Sequence, residues 1–466
     1  MSNAQSEIHR KEGNRLLADG DLRGAEACYR RSIAADPGSA EACVALGFVL
    51  LKQERLDDAK PFLETAVSLD SGNADGHYLL GTIAQKRGRP AEAIAEFDKA
   101  LAINPRFAEA QHDIGVAFRA QGRLDEALRC FDRALSIQPG FAPSRFSKSL
   151  VLLLLGDYAR GLELFESRLE ACEDELVHNW LAFLSKHPEK PRWQGEALRG
   201  RSLLVWTEQG AGDCMMMARY LPRLAEKGAG RILVLSDPSL IRLFKALPLG
   251  CEVLSRVDTL ALGAFDLHCP MMSLPLLFGT SLETIPRAVP YLHVPPDLRE
   301  SWSRRLAESK GLKVGLAWAG NRKYGRDFLR SVAFHQLKPL FGVPGVTYVS
   351  LQKGAAAEER DEANRFLADW MDECVDFMDT AALILNLDLV VSVDTSVAHL
   401  AGALGRPVWL LNRFESEWRW LREGERSPWY PTMRIFRQAA PNDWQGVIGQ
   451  LARELAELAS SGRARV

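Results

Sequence analysis

Two loops of this sequence carry side chains that can move a proton or hold a phosphate. The first, Gly210-Ala211-Gly212-Asp213, lies between an apolar run at 203–206 and a helical stretch. Its glycines let the backbone approach a ligand closely, and the Asp213 carboxylate could accept a proton from an acceptor hydroxyl. Asp213 could equally be an ordinary N-terminal helix cap. The loop is not a dinucleotide fingerprint, because Met215 takes the place of the third glycine.

The second loop, Asp394-Thr395-Ser396, follows a buried apolar run and opens a helix that contains His399. Small hydroxylated residues at a helix N-terminus leave backbone N–H groups and a partial positive charge available to a phosphate. His399, one turn further on, could donate to a phosphate or sugar oxygen. The alternative makes Asp394 and Thr395 simple caps and His399 a buried histidine. The position of this loop at a strand end favours ligand binding.

Two further loops place cations and amides at predicted strand ends. Asn321, Lys323 and Arg330 follow one predicted strand, and cations at this place suit a departing diphosphate. A charge run by itself is more often only a solvated face. Gln352 and Lys353 end the next predicted strand. Lys353 could reach a phosphate and Gln352 a base or ribose, and a polar turn is an equal alternative.

Aromatic residues cluster late in the chain, at Trp418, Trp420, Trp429 and Tyr430. Their rings could stack on a sugar or a base. The commoner role of such a cluster is to pack the seam between two domains, and we favour that interpretation.

Several signatures of other enzymes are absent from the sequence. The single Asp-x-Asp, Asp19-Gly20-Asp21, lies in a repeat turn, and there is no P-loop, His-Glu-x-x-His or Gly-x-Ser-x-Gly motif. We therefore expect no metal and no cofactor. Cationic side chains and a helix dipole would have to stabilise the charge of a leaving group.

Two parallel sheets are predicted to position these loops. Short apolar runs alternate with helical stretches, as expected for strands of parallel sheets, at 203–206, 232–235, 264–268, 313–318, 347–351, 387–393 and 408–411. Two Rossmann-like domains, 201–300 and 311–440, would form a cleft between the carboxyl ends of their strands. A final helix within 441–466 is predicted to cross back and brace the first of them.

A 34-residue period runs through the first third of the chain. Glycine recurs at this interval at Gly13, Gly47, Gly81 and Gly115, and alanine at Ala25, Ala59, Ala93 and Ala127. A helix–turn–helix repeat of this length is typical of tetratricopeptide (TPR) repeats. We count five units, 5–38, 39–72, 73–106, 107–140 and 141–172, followed by a connecting segment, 173–200. Such solenoids present a concave surface to a protein or peptide, although a spacer without a partner is the alternative.

Chain length, net charge and cysteine content restrict the class of protein. A chain of 466 residues is expected to form two or three domains. A net charge of −2 gives no reason to expect a nucleic-acid partner, and no apolar run is long enough for a transmembrane segment. The first twenty residues are charged and polar, so we expect no signal peptide. Eight cysteines without a Cys-x-x-Cys pair indicate reduced thiols and a cytoplasmic protein.

Seven motifs give the region 190–440 a specific resemblance. It resembles bacterial TPR-containing glycosyltransferase-like proteins, the carboxyl-terminal domain is similar to glycosyltransferase family 9 (heptosyltransferase), and the TPR-plus-GT-B layout resembles protein O-GlcNAc transferases. The motifs lie at Trp193–Glu196, Trp206–Asp213, His268–Pro275, Trp318–Asn321, Ser350–Gly354, Ser392–His399 and Ser427–Pro431.

The resemblance implies an inverting, metal-independent transfer of a sugar from a nucleotide-diphosphate sugar. By similarity Asp213 matches the general base, and Asp394, Thr395 and His399 match the motif that holds the donor diphosphate. Lys323 and Arg330 are the candidates for the cation that stabilises the leaving group.

The chain departs from the family pattern at Ala211 and over 324–329. We predict a glycosyltransferase with a TPR solenoid and a GT-B pair of Rossmann-like domains, whose acceptor is a protein or peptide. A non-catalytic TPR scaffold with a ligand- or partner-binding domain is the alternative.

Overall fold

The computed structural model describes residues 2–171, 174–256, 264–321, 327–354 and 357–461. The chain divides into two units, residues 1–151 and 152–466. The domain borders expected from the sequence remain predictions. Within the described ranges, no helix has both the length and the apolar character needed to cross a membrane.

The repeat region consists of paired antiparallel helices, and the prediction of a TPR solenoid is confirmed. The helices are α1 (Ser2–Ala18), α2 (Leu22–Ala35), α3 (Ala40–Lys52), α4 (Leu56–Leu69), α5 (Ala74–Lys86), α6 (Pro90–Ile103), α7 (Ala108–Ala120), α8 (Leu124–Ile137), α9 (Ala142–Leu154) and α10 (Tyr158–Phe165). Polar residues begin several of them: the Ser39 side chain accepts from the backbone of α3, and Asn73 from that of α5.

The 34-residue period follows from how the two helices of a repeat pack. A Cβ atom added at Gly81 would lie 2.6 Å from the Phe97 ring, and one at Gly115 would lie 2.6 Å from the Phe131 ring. Both rings are completely buried. The glycine in the first helix of these two repeats therefore makes room for the phenylalanine in the second helix. Because each glycine packs on its phenylalanine, both residues recur at the same 34-residue interval.

The second unit continues with further helices and nine strands in its described part. The helices are α11 (Arg168–Ala171), α12 (Glu175–Ser185), α13 (Ala211–Met217), α14 (Leu221–Glu226), α15 (Ile241–Lys245), α16 (Leu274–Leu277), α17 (Pro296–Arg305), α18 (Lys338–Phe341), α19 (Ala357–Ala363), α20 (Phe377–Ile384), α21 (Ser396–Ala403) and α22 (Trp444–Ser461). The strands are β1 (Ser202–Trp206), β2 (Arg231–Ser236), β3 (Glu252–Ser255), β4 (Leu267–Pro270), β5 (Leu312–Ala317), β6 (Val346–Ser350), β7 (Leu389–Val393), β8 (Val408–Asn412) and β9 (Met433–Arg437).

The strands form two parallel sheets, as predicted. The first has the order β3-β2-β1-β4 and the second the order β6-β5-β7-β8-β9. Every described strand pair within them is parallel. The sequence patterns missed β3 and β9. β3 is a short edge strand with a single fully buried side chain, and β9 carries arginines at its second and fifth positions.

The structure places two segments that flank the sheets, the connecting segment 173–200 and the last helix. The expected connecting segment contains α12, whose Val177, Trp180 and Leu184 pack against the first sheet. The prediction that the last helix crosses back to the first domain is wrong. The buried face of α22, which includes Trp444 and Leu451, belongs to the core of the second sheet together with Phe436 of β9.

We expect Gly115→Ala to lower the free energy of unfolding by about 1–3 kcal/mol, the usual cost of overpacking a core. The added methyl group would press on the Phe131 ring, and this outweighs the better helix propensity of alanine. Gly140→Ala is the matched control, because nothing lies within 4 Å of a Cβ atom at that position. Urea unfolding followed by circular dichroism measures both. Equal stability of the two variants would show that the close glycine–phenylalanine packing does not set the repeat geometry.

Candidate active site

The strand orders mark one place in each sheet where a ligand site is expected. In the first sheet the chain adds β2 and β3 on one side of β1 and then β4 on the other. In the second sheet β6 lies on one side of β5, and β7 on the other. Loops leaving two such neighbouring strands diverge, and the crevice outside their carboxyl ends is where open parallel sheets bind ligands. The Asp213 loop follows β1 and the Asp394 loop follows β7.

The helices that follow these two loops pack directly against each other. A Cβ atom added at Gly212, in the first turn of α13, would lie 2.7 Å from His399 Cδ2 and 3.3 Å from Ser396 Cα on α21. Only glycine allows this approach. The structure therefore brings together Asp213, Gly212, Ser396 and His399, which the sequence predicted from separate motifs.

The Asp213 carboxylate is held by an arginine of the second sheet domain. Arg419 Nε donates to Asp213 Oδ1 at 2.8 Å, and Arg419 Nη2 donates to the same oxygen. The two side chains are only 12 % and 15 % exposed. Gly210 occupies the cap position of α13, so the interpretation of Asp213 as a helix cap is wrong. Sequence reasoning missed Arg419, and the one available signal was its position between two tryptophans, Trp418 and Trp420.

Several carboxylates surround the Arg419 guanidinium. Glu417 Oε2 lies 3.8 Å from its Nη1, and Glu417 also pairs with Arg413. Burial opposes the positive charge of Arg419, but the charges of Asp213, Glu417 and Asp394 outweigh it and raise the pKa of Arg419 above its usual value. The guanidinium is thus a fixed cation between the two sheet domains.

His399 and Asp394 are both buried beside this cation. His399 Nδ1 lies 3.0 Å from the Tyr430 hydroxyl, and His399 Nε2 lies 4.0 Å from Asp394 Oδ1. Burial, assisted by the charge of Arg419, lowers the pKa of His399 to about 3. Burial raises the pKa of Asp394, and Arg419 opposes that shift. The imidazole is therefore neutral at physiological pH.

Thr395 and Arg330 complete the loop after β7. Thr395 is the cap of α21, and its Oγ1 accepts from Val397 N at 3.3 Å. Arg330 Nη1 donates to the Asp394 carbonyl oxygen at 3.0 Å, while its Nε donates to Asp327 at 2.8 Å. Arg330 therefore lies at the crevice where the sequence predicted a cation. Asn321 is exposed, and Lys323 lies outside the described residues.

Gln352 and Lys353 lie beside a cavity of about 330 Å³ at the carboxyl ends of β5 and β6. Gln352 Oε1 accepts from the backbone N–H groups of Trp318 and Ala319 at 3.0 and 2.8 Å, so this oxygen joins the two strand ends. Lys353 Nζ donates to the Cys374 carbonyl oxygen. The buried Trp318 Nε1 has no hydrogen-bond partner among the described residues, and Trp318 lines the cavity.

A larger cavity, of about 510 Å³, lies elsewhere, between the segment that connects the two sheets and α20–α21. Its lining includes Pro290, Arg299 and Asn386 and none of the predicted site residues. It is not at the carboxyl ends of the strands, so we place the candidate site at the smaller cavity and the adjoining crevice.

The late aromatic cluster is buried rather than open to a ligand. Trp418, Trp420, Trp429 and Tyr430 are at most 2 % exposed. Trp418 and Trp429 pack on each other and both contact Tyr158 of α10. This agrees with packing, the role that we favoured from the sequence.

A buried ion network fixes the loop after β1. The Arg168 guanidinium donates to Glu208 Oε1 and to Ser273 Oγ, each at 2.7 Å, and both charged side chains are 3 % exposed. Glu208 accepts from the N–H groups of Met271 and Met272 after β4. Burial raises the pKa of Glu208, and Arg168 opposes that shift. This network was missed, although the sequence held a signal: alanine also recurs every 34 residues at Ala66, Ala100 and Ala134, and Arg168 stands at the next position of that series.

Comparison with known families agrees with this division of the chain. Residues 16–83, 78–142 and 112–174 match family models for the tetratricopeptide repeat. Residues 349–438 match the model for glycosyltransferase family 9 (heptosyltransferase). The chain joins TPR repeats to a glycosyltransferase family 9 domain. The family 9 match includes Gln352, His399 and Arg419, whereas Asp213 precedes it.

One curated relative is Protein FlbA of Caulobacter vibrioides, which is 30 % identical over 341 residues. The alignment covers 68 % of this TPR–family 9 chain and 55 % of FlbA, so the chain spans about half the length of that relative.

Some solved structures are similar to about a third of the chain. The crystal structure of MamA is 28 % identical, with a TM-score of 0.31, and the match covers 34 % of this chain and 92 % of MamA. The crystal structure of PilW, a type IV pilus biogenesis factor, is 26 % identical with a TM-score of 0.34, over 35 % of this chain and 78 % of PilW.

His399 predicts a dependence of stability on pH. The pKa of His399 is about 3 in the folded protein and 6.5 in the reference state, so the unfolded chain binds the extra proton and acidification below 6.5 favours unfolding. As the pH falls from 6.5 toward 3, the free energy of unfolding should decrease less steeply in His399→Gln than in the wild type. The difference in slope is at most about 1.4 kcal/mol per pH unit. Urea unfolding across the range measures the difference.

The matched control for this prediction is His187→Gln, because His187 is 37 % exposed. It should follow the wild-type pH dependence. Parallel curves for the wild type and His399→Gln would show that His399 is not held neutral in the folded protein.

Proposed function

We propose that this TPR–family 9 protein transfers a sugar from a nucleotide-diphosphate sugar to the hydroxyl group of an acceptor. The observation that carries the proposal is the meeting of two motifs in one crevice. Asp213 follows a strand at the switch point of the first sheet, His399 and Asp394 follow one at the switch point of the second, and Gly212 keeps them in contact.

In this proposal the donor binds mainly to the second sheet domain. The cavity beside Gln352 and Lys353, which Trp318 also lines, takes the base and ribose. The diphosphate lies toward the N-terminus of α21, where the backbone N–H groups and Arg330 favour negative charge. Lys323, which the structure does not describe, remains a proposed phosphate contact.

The proposed reaction is a single displacement with inversion. Asp213 takes the proton of the acceptor hydroxyl as its oxygen forms a bond to the anomeric carbon of the sugar. The bond from that carbon to the diphosphate oxygen breaks, and its electron pair leaves with the nucleoside diphosphate. Cations and helix dipoles stabilise the leaving charge in place of a metal ion.

We further propose that the acceptor is a protein or peptide bound by the repeats. TPR repeats are protein-interaction modules whose stacked helices present an extended surface. The period of the first unit gives this chain such a surface without fixing which sequence it binds.

A second candidate function is a TPR scaffold whose transferase-like domain binds a nucleotide sugar without turning it over. One observation favours it: the Asp213 carboxylate is engaged by Arg419 rather than open to an acceptor. A fold shared with transferases does not by itself establish catalysis.

Ligand stabilisation and turnover separate these functions. We expect at least one sugar conjugate of UDP, GDP, ADP or CDP to raise the melting temperature of the wild type. We also expect Asp213→Asn to keep this stabilisation while donor turnover falls by about 10²–10⁴-fold, the usual contribution of a general base. Product release measured by chromatography gives the rate.

Asp297→Asn is the matched control, because Asp297 also lies in the first turn of a helix, α17, but is exposed. It should turn over the donor at the wild-type rate. A nucleotide sugar that stabilises the protein but is not turned over in an Asp213-dependent way, even with candidate acceptors present, would support the scaffold instead. No stabilisation by any nucleotide sugar would refute the donor site itself.

A further inference from the structure

Arg419 is the contact through which the second sheet domain controls the proposed base. Its guanidinium bonds to Asp213 through Nε and Nη2, 206 positions away in the sequence. The pair is mostly shielded from water, so its charges are weakly screened. In this arrangement the carboxylate oxygen that faces Arg419 already accepts two hydrogen bonds.

The same guanidinium acts on the loop that begins α21. Burial raises the pKa of Asp394 and lowers that of His399, and the charge of Arg419 opposes the first shift and adds to the second. Arg419 therefore lies within electrostatic reach of the N-terminus of that helix. A diphosphate at this N-terminus would therefore be close to Arg419 as well as to the backbone N–H groups.

The other charged groups near Arg419 have fixed partners of their own. Glu417 is paired with Arg413, and Arg330 with Asp327. Arg219 donates to the carbonyl oxygens of Met216, Pro286 and Trp429. The direct hydrogen bonds of Arg419 that the structure describes go to Asp213.

A diphosphate is a stronger partner for this guanidinium than a carboxylate. It carries more charge, and its oxygens match the fork of N–H donors on an arginine. A donor bound in the crevice would compete with Asp213 for Arg419.

We propose that Arg419 is the cation that receives the leaving diphosphate, and that donor binding moves Arg419 from Asp213 to the diphosphate and so releases the base. The inference rests on the proposed function and adds an order of events to it. Without donor the carboxylate is occupied by Arg419, and with donor it can accept the proton of the acceptor hydroxyl.

Competition for one guanidinium makes the effect of Asp213→Asn depend on Arg419. If Asp213 and the diphosphate compete, Asp213→Asn strengthens diphosphate binding in two ways: it removes the repulsion between two anions, and it removes the ion pair that the diphosphate must otherwise break. The second gain disappears without Arg419. If the pair only holds the site together, the repulsion alone is removed, and Asp213→Asn changes binding equally with and without Arg419.

The test measures the dissociation constants of ADP, CDP, GDP and UDP, and of the matching nucleosides, by calorimetry on the full chain. For the diphosphate that binds, we expect Asp213→Asn to bind about 3–10-fold more tightly than the wild type and Arg419→Met at least about tenfold more weakly. The nucleoside, which has no phosphate, should bind equally to all three proteins. In an Arg419→Met background, the gain from Asp213→Asn should be markedly smaller, because only the repulsion between the two anions is removed.

Controls keep the outcomes distinct. Arg422→Met, three positions away with a side chain 55 % exposed, should bind the diphosphate as the wild type does. If Arg419→Met fails to fold, Arg419→Lys takes its place in the same comparison, because lysine lacks the fork of N–H donors. An equal gain from Asp213→Asn in both backgrounds overturns the exchange. Weaker or unchanged diphosphate binding by Asp213→Asn overturns the exchange while leaving the proposed function intact. Binding of no diphosphate to the wild type overturns the proposed function and this inference together.

Discussion

The close packing of α13 on α21 is the constraint on which the candidate site depends. Gly212 permits it on one side, and Gly402 permits an equally close contact on another, since a Cβ atom there would lie 2.6 Å from the Tyr430 ring. His399, between these contacts, bonds to Tyr430. The helix that begins at the Asp394 loop is thereby fixed against both sheet domains. Small residues at two positions thus place the Asp213 carboxylate and the N-terminus of α21 in one crevice.

Buried charges then fix the loops around that packing. Glu208 joins the ends of β1 and β4 to Arg168, and Arg219 ties the segment after α13 to the carbonyl oxygens of Pro286 and Trp429. Burying such groups costs desolvation energy, which is recovered only when every donor and acceptor finds its partner. The network is therefore weak support for overall stability, and we interpret it as a means of holding one loop arrangement.

The sequence predicted the fold better than it predicted the site. Periodic columns such as Gly81 and Phe97 report packing within one repeat, and apolar runs report buried strands, so both are visible locally. Arg419 is not, because its partner Asp213 is 206 positions away and no local pattern encodes such a pairing. The wrong placement of α22 has a similar cause: its amphipathic pattern shows that one face is buried but not which sheet buries it. The edge strands β3 and β9 lack the apolar run that marks a central strand.

Burial also decides which groups at the crevice carry charge. Desolvation keeps His399 neutral and raises the pKa of Asp394. His399 therefore becomes positively charged, and Asp394 negatively charged, less readily than in water. A neutral imidazole can donate a hydrogen bond without releasing a proton into the site. A less acidic Asp394 repels an incoming diphosphate less. The positive charge at the crevice then comes from arginines that stay charged at any physiological pH. That division suits the proposed reaction, in which Asp213 takes the proton of the acceptor hydroxyl.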